Sequence, residues 1–153
     1  MDPATSAEAV VRETHQINGH STFFESVGAP GSRKFIYVAE HARRTLHEKE
    51  GFPHLQTGSL VFDGLFALAL EEVRENSVSE IRAHAFNKGE PIPLEAFETG
   101  EMWQYVWTRD ISYAVDLGLA SLDAPRCVRS LMYKTSRFKD GVAGTLQPQI
   151  LQD

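Results

Sequence analysis

The sequence predicts a mainly α fold with one inserted β-hairpin, and three observations carry that expectation. Apolar residues recur at helical spacing in five separate segments, turn residues close most of those segments, and one stretch around Asn87-Lys88-Gly89 changes to the pattern of paired strands.

In chain order, Thr5-Ser6-Ala7-Glu8 has the form of a capping box. Val10, Val11, Thr14 and Ile17 follow at helical spacing until Asn18-Gly19 supplies a stop. The loop from Gly28 to Ser32 leads to a second expected helix, capped by Ser32, in which Phe35, Ala39, Ala42 and Leu46 share a face. After the loop from Gly51 to Gly58, a third helix is expected from Ser59 to Glu75. Phe62, Phe66, Ala69 and Val73 form its main stripe, and Leu65, Leu68 and Leu70 spread the apolar surface over most of its circumference. That pattern marks a helix covered on several sides.

The hairpin runs from Ile81 to Phe86 and from Pro91 to Phe97, with Pro91 and Pro93 demoting the second arm to an edge. A fourth helix is expected to begin near Asp110, carried by Ile111, Ala114, Val115, Leu119 and Leu122. Asp123-Ala124-Pro125 ends it and opens a fifth, with Asp123 as N-cap and proline in the first turn. Val128, Leu131, Met132 and Phe138 carry that last helix, and Gly141 to Asp153 shows no period.

Composition bounds the function. The 153 residues are about one domain long, and 42% hydrophobic residues are enough for a core. A net charge of -6, with no basic run beyond Arg43-Arg44, argues against nucleic acid as partner, since nothing is present to displace counterions from phosphate. Cys127 is the single cysteine, so no internal disulfide can form; its mid-helix apolar setting reads as core. The N-terminus lacks a basic region followed by an apolar one and so has no signal-peptide pattern. The apolar run Leu60 to Leu70 is too short for a bilayer and is broken by Asp63. A soluble cytoplasmic protein without a membrane partner is expected. His15, His20, His41, His47, His54 and His84 show no ligand spacing, and no Cys-x-x-Cys, His-Glu-x-x-His, Gly-x-Ser-x-Gly or phosphate-loop pattern occurs. Neither metal nor cofactor is expected.

The informative stretch is Trp103-Gln104-Tyr105-Val106-Trp107-Thr108-Arg109-Asp110, which holds both tryptophans of the chain. Sugars present apolar C–H faces and a rim of hydroxyls. A site for them calls for an aromatic platform beside groups that accept and donate hydrogen bonds, and here a carboxylate and a guanidinium follow the platform. Residue types alone leave a second reading open, in which the aromatics are core, Asp110 is a helix cap and Arg109 is its ion-pair partner.

Tyr-Val-Trp-Thr-Arg-Asp (105–110) resembles the Trp-Thr-Arg-Asp motif of the glucoamylase-type six-hairpin glycosidases. The run from Phe62-Asp63 through Phe97-Glu98-Thr99-Gly100 to Ser130-Leu131 and Lys134 is similar to a bacterial branch of that superfamily. The resemblance implies the N-terminal part of an (α/α)6 barrel and a carbohydrate substrate. It places Arg109 and Asp110 on hydroxyls of the −1 sugar, Trp107 along the subsite and Trp103 near the bound ring. It also implies a partial glycosidase-like domain over 33–153, after an N-terminal helix and linker over 1–32. Glycoside hydrolysis normally needs two opposed carboxylates. In such enzymes both come well after the Arg-Asp pair, while Asp63, Glu71, Glu72, Glu98, Glu101 and Asp116 match no catalytic motif. The chain is therefore expected to supply substrate-binding residues for hydrolysis of glycosidic bonds, to be inactive alone, and to self-associate through uncovered apolar surface. A non-catalytic sugar-binding piece and an interaction or scaffold piece are the alternatives.

Overall fold

The computed structural model describes residues 10–135 and 139–141, and these fall into two compact units, Met1–Glu72 and Val73–Asp153. The capping box at Thr5 and the segment after Gly141 lie outside the described residues.

In the first unit Asn18-Gly19 turns the chain instead of stopping a helix. Both residues have positive φ (54° and 82°), as a two-residue hairpin turn of the primed type requires. The turn joins strands β1 (Val10–Ile17) and β2 (His20–Val27), which pair from Val10 opposite Val27 to Ile17 opposite His20. Glycine fits the second position because it carries no Cβ to oppose a left-handed backbone. β3 (Lys34–Ala39) pairs with β2 and, through a second tight turn, with β4 (Ala42–His47), completing an antiparallel sheet of order β1-β2-β3-β4.

The four positions that suggest a helix over this stretch are two cross-strand pairs. Phe35 faces Leu46 and Ala39 faces Ala42, and residues placed symmetrically about a hairpin turn meet just as residues at helical spacing would. Phe35 and Leu46 then bury against Ala67 of helix α1 (Leu60–Glu75), with Leu60 and Leu68 alongside.

The same unit buries charge. Arg33, ahead of β3, donates from Nη1 to Asp63 Oδ2 at 2.7 Å and from Nη2 to Glu48 Oε1 at 2.5 Å, and its Nη2 also reaches the Leu55 carbonyl. The three side chains are 6%, 4% and 1% exposed for Arg33, Glu48 and Asp63. One cation against two carboxylates leaves an excess negative charge, and neutral donors balance it. The N–H of Gly31 (2.8 Å) and of Arg33 (3.1 Å) point at Glu48, while the N–H and hydroxyl of Thr57 (both 2.8 Å) point at Asp63. Burial acts to raise both carboxyl pKa values, but the hydrogen bonds from Arg33 and these donors outweigh it and hold both below the ordinary range. Glu13 of β1 accepts from the N–H of Leu60 and, at 3.0 Å, from the Ser59 hydroxyl, which ties β1 to the first turn of α1.

In the second unit β5 (Ser77–Ile81) and β6 (Ile92–Phe97) form a two-stranded antiparallel sheet with a register shift between Val78 and Glu80. Their connection holds a 3-10 turn at Asn87–Gly89. Helix α2 (Thr108–Ala114) runs through a π-helical turn (Val115–Leu119) into α3 (Ala120–Tyr133). Asp123 interrupts α3 with an extended backbone (φ −150°, ψ 76°) and accepts from the Arg126 N–H at 3.0 Å, so it caps the segment after it and leaves Pro125 in the first turn. Ile81, Phe86, Ala96, Phe97, Val106, Ile111, Cys127 and Tyr133 form the core.

The mainly α expectation, with its (α/α)6-barrel fragment, is corrected by this architecture. Six strands in two antiparallel sheets stand among the described residues; the expected first helix is β1, the expected second is β3 and β4, and β2 lies where no element was expected. With them goes the likeness to the six-hairpin glycosidases as an account of the fold. β-Branched Val10, Val11, Thr14 and Ile17 favour an extended backbone once the turn at Asn18-Gly19 supplies them with a partner strand. Helix α1 is present as expected, but it is not covered all round: Phe62 is 64% and Leu65 53% exposed. No helix among the described residues is long and apolar enough to cross a membrane.

Candidate functional site

Thr99 organises the loop that carries the aromatic residues. Its N–H and hydroxyl both donate to the Tyr105 carbonyl at 3.0 Å, and its hydroxyl oxygen accepts from the Trp107 N–H at 3.1 Å. Within the loop, the Trp103 N–H donates to the Gly100 carbonyl and the Tyr105 N–H to the Trp103 carbonyl, each at 2.8 Å. Three rings on alternate residues are thereby gathered. Tyr105 and Trp107 stack with centroids 5.5 Å apart, and Trp103 meets Trp107 edge-on at 6.0 Å. Aromatic pairs favour these offset and edge-to-face arrangements.

A second wall comes from the connection between β5 and β6. Asn87, Lys88 and Gly89 all have positive φ, an arrangement that folds this stretch back on itself, and Asp140 fastens it by accepting from the Lys88 N–H at 2.6 Å. Phe86, paired with Lys139 in an isolated β-bridge, stacks on Tyr133 at 4.8 Å. Burial pushes the Tyr133 phenol up to about 12, so the ring is neutral core. Burial also raises the carboxyl of Glu98, next to Thr99.

Between the walls lies a cavity of about 640 Å³. Tyr105, Trp107 and Phe86 supply its aromatic surface, Ala83, Ala85 and Gly89 its small-residue surface, and Arg82, His84, Lys134 and Lys139 its polar groups. Lys134 is 5% exposed, its ammonium 5.5 Å from the centre of the Phe86 ring. The indole N–H of Trp107 is buried and has no hydrogen-bond acceptor among the described residues.

Of the four residues expected from the sequence, Trp107 lines the cavity. Trp103 touches the Trp107 ring and is itself half exposed. Arg109 and Asp110 stand in the first turn of α2, outside the lining, with side chains 75% and 44% exposed and 3.9 Å apart. The helix opens at Thr108 with Trp107 at its cap position and no side-chain capping bond, so Asp110 is not the N-cap. Sequence reasoning missed Tyr105 as a wall and all four basic groups. Arg82, His84, Lys134 and Lys139 are scattered over nearly sixty positions, and only the turn cluster at 87–89 hints that the chain doubles back there. No group of three or more His, Cys, Asp or Glu placed to hold a metal occurs among the described residues. No protein family, no curated protein and no solved structure matches the chain.

Proposed function

We propose that the second unit is a carbohydrate-binding module whose saccharide sits in the cavity against Tyr105 and Trp107. The observation that carries this reading is the stacked pair of rings forming a wall of a cavity of about 640 Å³. That size falls within the range of small-ligand sites, roughly 300–1,000 Å³, and a pyranose offers the rings its apolar C–H face. The buried Trp107 N–H, a donor without an acceptor among the described residues, supports the reading further, because a sugar hydroxyl can accept from it. Arg109 and Asp110, two and three residues after Trp107, are available to a longer saccharide that extends out of the cavity.

Both tryptophans belong to this loop, so their emission is a direct readout of occupancy. Titration with mono- and disaccharides is expected to change it saturably, and Trp107→Ala to abolish the binding while the far-ultraviolet circular dichroism is kept. Absence of saturable binding tighter than about 1 mM, equivalent to about 4.1 kcal/mol, for every saccharide tried would remove the proposal. Asp110→Asn tests the extension: it should weaken binding of a disaccharide and leave a monosaccharide unaffected.

A further inference from the structure

The stacked rings of the cavity wall stand on a loop that leaves β6 at Thr99 and enters α2 after Trp107. The Thr99 side chain joins the two ends of that loop. Its hydroxyl donates to the Tyr105 carbonyl at 3.0 Å, beside the Thr99 N–H, and the same oxygen accepts from the Trp107 N–H at 3.1 Å. One proton and two lone pairs let a hydroxyl fill both roles at once. The remaining bonds of the loop, from the Trp103 N–H to the Gly100 carbonyl and from the Tyr105 N–H to the Trp103 carbonyl, curl it locally and do not reach Trp107.

Between the two rings Val106 is 1% exposed and belongs to the core, so it fixes how deep the loop sits. Thr99 fixes the residues on either side of it. A methyl group in place of the hydroxyl can neither donate nor accept, and carbon settles against oxygen at about 3.3–3.6 Å. The backbones of Tyr105 and Trp107 would then have to move away from residue 99. Their rings, 5.5 Å apart and inclined at 26°, would move with them, while Val106 kept the loop anchored. Thr99 itself does not line the cavity, so any effect on a ligand passes through the rings. We propose that Thr99 is the positioning residue of this site: its hydroxyl holds Tyr105 and Trp107 at the spacing a sugar ring fits, and thereby sets saccharide affinity without touching the ligand. Its effect on affinity rests on the carbohydrate reading above; its effect on the rings does not.

The test compares the full chain with Thr99→Val, Thr99→Ala and Thr99→Ser. Alanine and serine differ only in the oxygen, so alanine reads the loss of the hydroxyl even where the bulkier valine disturbs the fold. Near-ultraviolet circular dichroism reports the mutual packing of the rings, and tryptophan emission follows titration with glucose, maltose and cellobiose. Valine and alanine should change the aromatic spectrum and weaken saccharide binding at least about tenfold, with the far-ultraviolet spectrum kept, and serine should restore both. An aromatic spectrum unchanged in Thr99→Ala would overturn the positioning role. So would a changed spectrum with binding as tight as in the parent chain, and the carbohydrate reading would then be decided by Trp107→Ala. If the parent chain binds none of the three sugars, the carbohydrate reading falls and the effect on affinity with it. A spectrum lost in alanine and regained in serine would still hold Thr99 to its place behind the rings.

Discussion

The two units solve the problem of a small interior in opposite ways. Among the described residues, the first buries Phe35, Leu46 and Ala67 in its apolar cluster, with Leu60 and Leu68 alongside, and adds the ion network of Arg33, Glu48 and Asp63. The second packs eight buried apolar or aromatic residues and keeps its basic side chains for the wall of a cavity. Charge in the first unit is thus turned inward, onto neighbours in the same chain, whereas the basic side chains of the second line a cavity. A buried charge with a full set of partners holds structure together.

The sharpest way to break the first unit is to remove the buried cation of its ion network, Arg33. Arg33→Met leaves two carboxylates facing each other without a counterion, and loss of one partner from a buried ion pair costs about 3–5 kcal/mol. Since whole domains hold only about 5–15 kcal/mol, urea denaturation followed by circular dichroism should show a shift close to loss of folding. A cost below about 1 kcal/mol would mean that water already reaches the network. In the second unit the corresponding cut is apolar. Ile81, 1% exposed, should cost about 2–5 kcal/mol on replacement by alanine, measured in the same way with tryptophan emission as the local probe.

Proton concentration should separate the units without any substitution. Asp63 and Glu48 have folded-state pKa values below their unfolded ones, about 3.9 and 4.3. The stability they contribute is therefore present above that range and is lost as pH falls through the folded values. Tyr133 is displaced the other way, to about 12. Its contribution is complete below the unfolded value of about 10 and disappears as pH rises toward 12. The first unit should fail in acid and the second in alkali, with circular dichroism following both and tryptophan emission following the second. A common transition at both extremes would contradict this division. The smallest expected effect is at Asp123: replacing it with alanine removes an N-cap and should cost about 0.5–2 kcal/mol, visible as a modest drop in melting temperature.

How far the sequence could be read differs between the units for a physical reason. Helix α1 and the cap at Asp123 were legible because their signals are local: a long apolar period in one case, an Asp followed by proline in the other. Strands β1 to β4 were not, because strand pairing depends on which distant residues meet. The helical period at Phe35, Ala39, Ala42 and Leu46 is equally the pattern of a hairpin folded at residues 40 and 41. Asn18-Gly19 carried the correct information, since that dipeptide favours a hairpin turn more than a helix end. In the cavity, Trp107 could be picked out because aromatic residues cluster along the chain. Lys134 and Arg82 could not, because only the folded backbone brings them to one wall.

The ion network also bears on the order in which the first unit assembles. Its donors and acceptors come from Gly31, Arg33, Glu48, Leu55, Thr57 and Asp63, so no two neighbouring segments suffice to close it. The β3–β4 hairpin and the start of α1 must both be in place before the guanidinium has anything to hold. Contacts made after the rate-limiting crossing act on escape from the native state more than on entry to it. Trimming Thr57 to alanine, a milder cut than removing Arg33, should accordingly raise the unfolding rate in stopped-flow measurements and leave the refolding rate close to that of the parent chain. On this view the network works as a latch that lengthens the lifetime of a structure already formed.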